Sequence, residues 1–268
     1  MLTSKRLLAA LFVTTLCAGQ GLAATIIVGG PPVYTNAGGP SYSDPFVPGT
    51  WMRTDVRAGS SVGVSTDFPQ SGTSSVYFSG TNGVSKANLT YVGAGPLGAL
   101  SNLTSLSYDW YRDSSSTNPA NQAPVLRLLT NGGATLIWEQ ANNGFVGALP
   151  VDQWITSMID PATARFWTTN SVNQPGFGAG ATIAQLIAGG FLLPGSDVVG
   201  IEIGFGSGWN GAFVGAADNV TIGFGNGDPT TWNFDVAAEV PEPASLAVWS
   251  LMGVAGLAYR WRNRKKDS

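Results

Sequence analysis

Between residues 24 and 240 the apolar residues come in short runs rich in Val, Thr, Tyr, Phe and Trp, separated by clusters of Gly, Asn, Ser and Pro. Runs of this length bounded by turn formers read as strands. The pattern predicts strands over 61–66, 75–79, 87–92, 105–111, 125–130, 135–139, 163–168, 200–204 and 219–223. Asn82-Gly83 and Asn131-Gly132-Gly133 are turn signals, and the second lies between two strand-like runs as in a hairpin. One helix is expected over 182–188 (TIAQLIA), ended by Gly189-Gly190. Short strands at this spacing predict a mainly β chain, a single sandwich or jelly roll over 51–236. Residues 24–50 are rich in Pro and Gly and are expected to be a loosely packed leader or a first edge strand. No tandem repeat, heptad pattern or long linker divides the domain.

The two ends have a different pattern. Lys5 and Arg6 precede an uncharged apolar run over 7–16, and Gly21-Leu22-Ala23 follows. A basic start, a short apolar run and small residues at a cleavage point predict a secretory signal peptide over 1–23. Cleavage after Ala24 is the near alternative. The Sec translocon and signal peptidase are the partners this implies. At the other end Pro241-Glu242-Pro243 closes a linker over 237–243. An apolar segment over 244–261 follows, then a basic tail over 262–268. The uncharged stretch 244–259 would span roughly 24 Å as a helix, against a hydrocarbon core of about 30 Å. Arg260, Arg262, Arg264, Lys265 and Lys266 read as a stop-transfer signal that leaves the tail in the cytoplasm and the bulk of the chain outside. A buried C-terminal helix with a solvated basic end is the competing reading.

The final segment VPEPASLAVWSLMGVAGLAYRWRNRKK resembles the PEP-CTERM sorting signal of exported bacterial proteins, in its Pro-Glu-Pro triplet, its short helix with Gly253 and Gly256 and its Arg-rich end. The resemblance implies processing by an exosortase, with Pro241, Glu242 and Pro243 as recognised residues. It also implies an exopolysaccharide-rich envelope. The chain is then expected to be anchored in the inner membrane by its C-terminal helix, and to reach the cell envelope or the medium after processing. A second likeness lies in SLSYDWYRDSSS (105–116), APVLRLL (123–129), GFGSGWNGAF (204–213) and ADNVTIGFGNGDPTTWNFD (217–235). These segments resemble jelly-roll ectodomains of other PEP-CTERM proteins, similar in outline to carbohydrate-binding and concanavalin-like β-sandwiches. The fold expected from both lines is one jelly-roll or concanavalin-like β-sandwich, flanked by an N-terminal signal helix and a C-terminal transmembrane helix.

Composition narrows the chemistry. The chain has 268 residues, of which 11% are charged, with 36 Gly, one Cys and no His. Average proteins carry about 25% charged residues. The absence of His excludes a Ser-His-Asp triad and any His-ligated metal. Cys17 lies in the signal segment, so removal of that segment leaves neither a disulfide nor a thiol. The formal charge of −3 conceals a split. Two of the thirteen basic residues are in the signal segment and five lie from Arg260 to Lys266, so residues 24–240 keep six against fourteen acids. So acidic a domain is not expected to bind nucleic acid.

Four candidate chemistries remain. Gly206–Gly211 matches G-x-G-x-x-G, but the residues that follow are β-like and open no helix, so a strand-joining loop is expected in place of a dinucleotide site. Asp109, Asp113, Glu139, Glu202 and Asp218 could supply the paired carboxyls of a glycan hydrolase. In Tyr108-Asp109-Trp110 and Ile201-Glu202-Ile203 the acid points away from its apolar neighbours, so these acids could line one concave face. Seven Trp (51, 110, 138, 154, 167, 209 and 232) lie in the domain, and four or five are expected in the core. Trp209, among glycines in a polar loop, and Trp110-Tyr111, at a strand end, are the candidates for stacking on sugar. Asp218, Asn219, Asp228 and Asp235 could hold calcium, and otherwise act as turn formers. No other cofactor is expected. The leading expectation is a non-catalytic, exported surface or matrix protein. The alternative is a carbohydrate-binding module for exopolysaccharide, and the third is a glycan-active hydrolase.

Overall fold

The computed structural model describes residues 24–145, 147–169 and 180–235. The signal peptide over 1–23, the linker with Pro241, Glu242 and Pro243, the expected membrane helix and the basic tail from Arg260 to Lys266 lie outside the described residues. Among the described residues no helix is long and apolar enough to cross a membrane.

Among the described residues the β-branched and aromatic runs form fifteen strands. In chain order they begin with β1 (Ala24–Ile27), β2 (Tyr34–Asn36), β3 (Trp51–Thr54), β4 (Ser60–Ser65) and β5 (Ser75–Gly80). Next come β6 (Ala87–Val92), β7 (Gly98–Ala99), β8 (Leu103–Arg112), β9 (Val125–Thr130) and β10 (Thr135–Trp138). The last are β11 (Trp154–Met158), β12 (Phe166–Thr168), β13 (Asp197–Phe205), β14 (Phe213–Phe224) and β15 (Thr230–Asn233). They make a mainly β, two-sheet fold. One seven-stranded sheet runs β12-β10-β9-β13-β6-β3, with β7 beside β13.

The other sheet has eight strands and forks. On one side of β14, β8 runs along most of its length and carries β11 at its edge. On the other side Phe213–Ala217 pair with β5, whereas Val220–Ile222 pair with β15. The fork is at a register shift between Asp218 and Thr221, where Asn219 takes φ 49°. A bulge with a left-handed residue bends a strand and lets it change partners. β1 completes one branch by pairing parallel with β15.

Period-2 alternation explains the core. Leu89, Leu126, Leu128, Ile201 and Ile203 of one sheet join Val76, Phe78, Trp110, Val220 and Ile222 of the other in one buried cluster. Each such side chain contributes about 1.5–3 kcal/mol on burial. The described residues contain no cysteine, so this core holds the sheets together without a disulfide.

The helix α1 (Ile183–Ala188) is capped as its sequence suggests. The Thr182 hydroxyl accepts the Gln185 N–H while the Gln185 side chain accepts the Thr182 N–H, and Gly189 ends the helix. The expected strand 163–168 shortens to β12, because Asp160 accepts the Ala162 N–H and the Thr163 hydroxyl and turns the chain there. β1 and β2 fall in the stretch 24–50, where a first edge strand is one of the two expectations; four strands lie outside the sequence expectation, namely β3, β7, β11 and β15. Most are edge strands that pair on one side only and bury little, so strand propensity marks them weakly.

Candidate functional site

The outward face of the seven-stranded sheet carries a row in register across six strands. Met52 lies opposite Thr90, Thr90 opposite Glu202, Glu202 opposite Arg127, Arg127 opposite Ile137, and Ile137 opposite Trp167. Alternation turns the neighbours of these residues inward, so a run such as Leu126-Arg127-Leu128 puts two leucines in the core and the arginine on the outer face. Glu202, Arg127, Ile137 and Trp167 of this row form the floor of a groove of about 530 Å³. Thr135 of β10 and Glu139 just past its end line it, as do Asn88, Asp55 and Lys86 on the far side and Ser207 and Trp209 from the β13–β14 loop.

The groove's charges are held in place. Arg127 Nη1 donates to Glu202 Oε1 and to Asn88 Oδ1, both at 2.7 Å. Glu202 Oε2 accepts the Thr90 hydroxyl at 2.8 Å, and Thr90 shares a 2.6 Å hydrogen bond with Thr54. Arg127 is only 6% exposed. A buried guanidinium needs such partners. No described residue accepts a hydrogen bond from its Nε or Nη2, and neither nitrogen is sealed from solvent. Glu139 lines the same groove and feels the Arg127 charge. Burial pushes its carboxyl above the usual range, and the Arg127 charge and the Trp167 N–H pull it back part of the way. At the groove's end Lys86 lies 2.7 Å from Asp55. Burial pushes the Asp55 pKa up, but hydrogen bonds from Arg57, Lys86 and Ser41 outweigh it and bring the pKa to about 2.

The five expected acids divide between the sheets. Glu139 and Glu202 line the groove. Asp109 and Asp218 face each other across β8 and β14 in the other sheet, and Asp113 accepts the Ser115 N–H in a loop. Asp109 and Glu202, expected on one concave face, therefore lie on different sheets.

Asp109 and Asp218 have structural partners. Asp109 accepts from Gln70, Thr156 and Asn219. Asp218 Oδ1 accepts the N–H groups of Asn219 and Phe234, which ties the fork in β14 to the end of β15. Burial, opposed by these N–H bonds and reinforced by the Asp109 charge, raises Asp218 to about 6.

The calcium candidates do not converge. Asp218 is used as above, the Asn219 amide reaches Asp109, Asp235 accepts the Thr73 N–H and hydroxyl, and Asp228 stands in the β14–β15 connection. Among the described residues no three His, Cys, Asp or Glu side chains cluster to hold a metal.

The tryptophans need a second correction. Five of the seven are buried, but Trp209 and Trp110 are among them. Trp209 is 6% exposed and packs edge-on to Phe213 at 5.2 Å. Positive φ at Gly208 and Gly211 folds its loop back and turns the indole inward, so only a part of it reaches the groove. Trp110 is fully buried and donates to the Ser157 hydroxyl. Tyr111 is half-buried, and Phe68 stacks on it at 4.7 Å. The tryptophan that presents itself on the groove floor is Trp167, half-buried at the end of the row.

Arg127 and Trp167 were not singled out from the sequence. The signal that could have found them is a lone charge or indole at an odd position in an apolar strand, as in Val125-Leu126-Arg127-Leu128-Leu129. The G-x-G-x-x-G residues form a strand-joining loop, and the chain continues into β14 with no helix.

No family model matches this chain, and no curated protein matches it. Solved structures show a weak likeness. A family 11 carbohydrate-binding module from Clostridium thermocellum, in complex with a β-1,3-1,4-mixed-linked tetrasaccharide, is 14% identical with a TM-score of 0.38, over 74% of this chain and 97% of that one. The family 11 module of a cellulosomal cellulase of the same organism is 12% identical with a TM-score of 0.35, over 74% and 89%. An exo-β-agarase is 12% identical with a TM-score of 0.38, over 69% of this chain and 24% of the agarase.

Proposed function

We propose that this chain is a non-catalytic carbohydrate-binding protein of the bacterial surface or matrix, built as a jelly-roll-like sandwich that takes a glycan in the groove of its seven-stranded sheet. The row from Met52 to Trp167 carries this reading. With Thr135 and Glu139 beside it, the row puts a half-buried indole, a threonine hydroxyl, an arginine with unused donors and two carboxyls on one surface. Sugar recognition needs an apolar plane for a ring face together with polar groups fixed in direction for its hydroxyls. The acids Glu202 and Asp55 are both engaged in ion pairs, which suits binding better than proton transfer. Delivery follows from the resemblance of the C-terminus to the PEP-CTERM signal: export by the Sec route, anchoring by the C-terminal helix, and exosortase processing at Pro241-Glu242-Pro243.

Two experiments test the two halves of the proposal. Retention of the purified protein on a panel of polysaccharides should fall at least about tenfold on Trp167→Ala, the size expected for an aromatic anchor, with the folded state unchanged by circular dichroism. No retention on any polymer would sink the binding role. Deleting residues 241–268 should remove the protein from the membrane fraction, and an unchanged distribution would sink the sorting role.

A further inference from the structure

We infer that the groove selects an uncharged sugar presenting two adjacent free hydroxyls between Arg127 and Glu139, an inference that rests on the carbohydrate-binding reading above. Both basic residues on the groove wall already have a carboxylate partner. Lys86 pairs with Asp55, and Arg127 with Glu202, each at 2.7 Å. A carboxylate or sulfate on the ligand would therefore find no cation among the described groove residues whose charge is not already compensated. It would instead meet Glu139, the one groove carboxyl that is in no ion pair among the described residues. Like charges brought together out of water cost several kcal/mol and serve to reject the wrong partner.

The same arrangement suits hydroxyls. Arg127 fixes one end of its guanidinium on Glu202 and Asn88, and leaves Nε and Nη2 as donors. Glu139, just past the end of the neighbouring strand, is an acceptor. A hydroxyl both donates and accepts, so two neighbouring hydroxyls can satisfy both sides at once, one accepting from Arg127 and the other donating to Glu139. An ether or ester at either hydroxyl would leave one partner desolvated and unpaired, which is costly. Ile137 lies opposite Arg127 on one side and Trp167 on the other, and so gives the sugar ring an apolar floor beside these polar groups.

Matched polymers test the inference. A soluble glucan, a galactan and a mannan are compared with the same backbones oxidised at C6 to uronates, by affinity electrophoresis of the full chain, Trp167→Ala and Glu139→Gln. At least one neutral backbone should be bound in a Trp167-dependent way and its uronate form at least about tenfold more weakly. Glu139→Gln should narrow that gap to within a few-fold. Trp167-dependent binding of a uronate form as tight as the neutral one would overturn the neutral-sugar assignment and leave the groove reading in place. Binding indifferent to Trp167→Ala, or no binding of any polymer, would overturn the groove reading itself, and this inference with it.

Discussion

Arg127 on β9 and Glu202 on β13 lie directly opposite one another, with Nη1 and Oε1 2.7 Å apart, and their side chains are 7% and 13% exposed. An ion pair this enclosed does not compare with a surface bridge. Removing one partner leaves the other charge buried, at about 3–5 kcal/mol. Arg127→Ala should therefore destabilise the domain by about 3 kcal/mol in urea unfolding. Glu202→Gln should cost less, since the amide oxygen still accepts from Arg127 or Thr90. Equal costs for the two variants would mean that the pair does not act as a buried unit.

The opposite sheet carries an aromatic cluster of its own, yet it is not expected to bind sugar. Phe68 stacks on Tyr77 and Tyr111 with centroids 6.1 and 4.7 Å apart, and Tyr111 meets Trp154 at 5.7 Å. Ala216 lies between Tyr77 and Tyr111 in register, so the small residue leaves the space that Phe68 covers. Rings stacked on each other have little free face for a pyranose. Phe68→Ala should cost about 1–3 kcal/mol of stability through lost ring contacts and burial. Trp154→Ala should leave glycan retention within twofold of the parent in the same electrophoresis that reads Trp167→Ala. A tenfold loss on Trp154→Ala would move the site to this sheet.

The central strands were legible in the sequence because they bury one face completely. β6 and β9 have the bounds that alternation predicts. The fork was not legible, since it depends on which strands β14 meets on each half of its length, and only the packed sheet decides that. The site was half legible. Ile201-Glu202-Ile203 announces an outward acid, and Glu202 does lie on the groove floor. The partner that fixes it is 75 positions earlier in the chain, and spacing along the sequence carries no trace of such a pair. Trp209 misled for a related reason. Glycines around an indole suggest an open loop, whereas positive φ at Gly208 and Gly211 lets that loop fold back over the core.

Asp218 should make stability depend on pH in the direction opposite to an ordinary paired carboxylate. It has no exposed surface, and its pKa is raised from 3.8 to about 6, chiefly by burial. Below the unfolded value the group is neutral in both states and costs nothing. As pH rises through the folded value the native state must ionise a buried acid, and stability falls by up to about 3 kcal/mol. Asp218→Asn keeps an oxygen for the Asn219 and Phe234 N–H groups and removes the titration. The variant should gain on the parent between pH 4 and pH 7 in urea unfolding. A difference that is constant over that range would show that Asp218 does not titrate there.

Gly204 links the sheet's backbone to the groove's chemistry. It lies in β13 opposite Asn88 and Val125, in the row next to Glu202 and Arg127. A Cβ built there would collide with Asn88 Oδ1 and would meet the Ala87 carbonyl oxygen at 2.5 Å. The first of these atoms accepts the hydrogen bond from Arg127 Nη1. The bare backbone at 204 therefore allows Asn88 to lie flat and hold the guanidinium from one side while Glu202 holds it from the other. Gly204→Ala must move the Asn88 side chain and also strain the β6–β13 pairing, at about 1–3 kcal/mol. Its effect on binding should exceed its effect on folding, because Arg127 loses one of its two anchors and its free donors change direction. Asn88→Ala separates the two effects. It removes the anchor without crowding the backbone, so it should weaken glycan retention while costing less stability than Gly204→Ala. Retention unchanged in Asn88→Ala would mean that the direction of the Arg127 donors does not matter to the ligand.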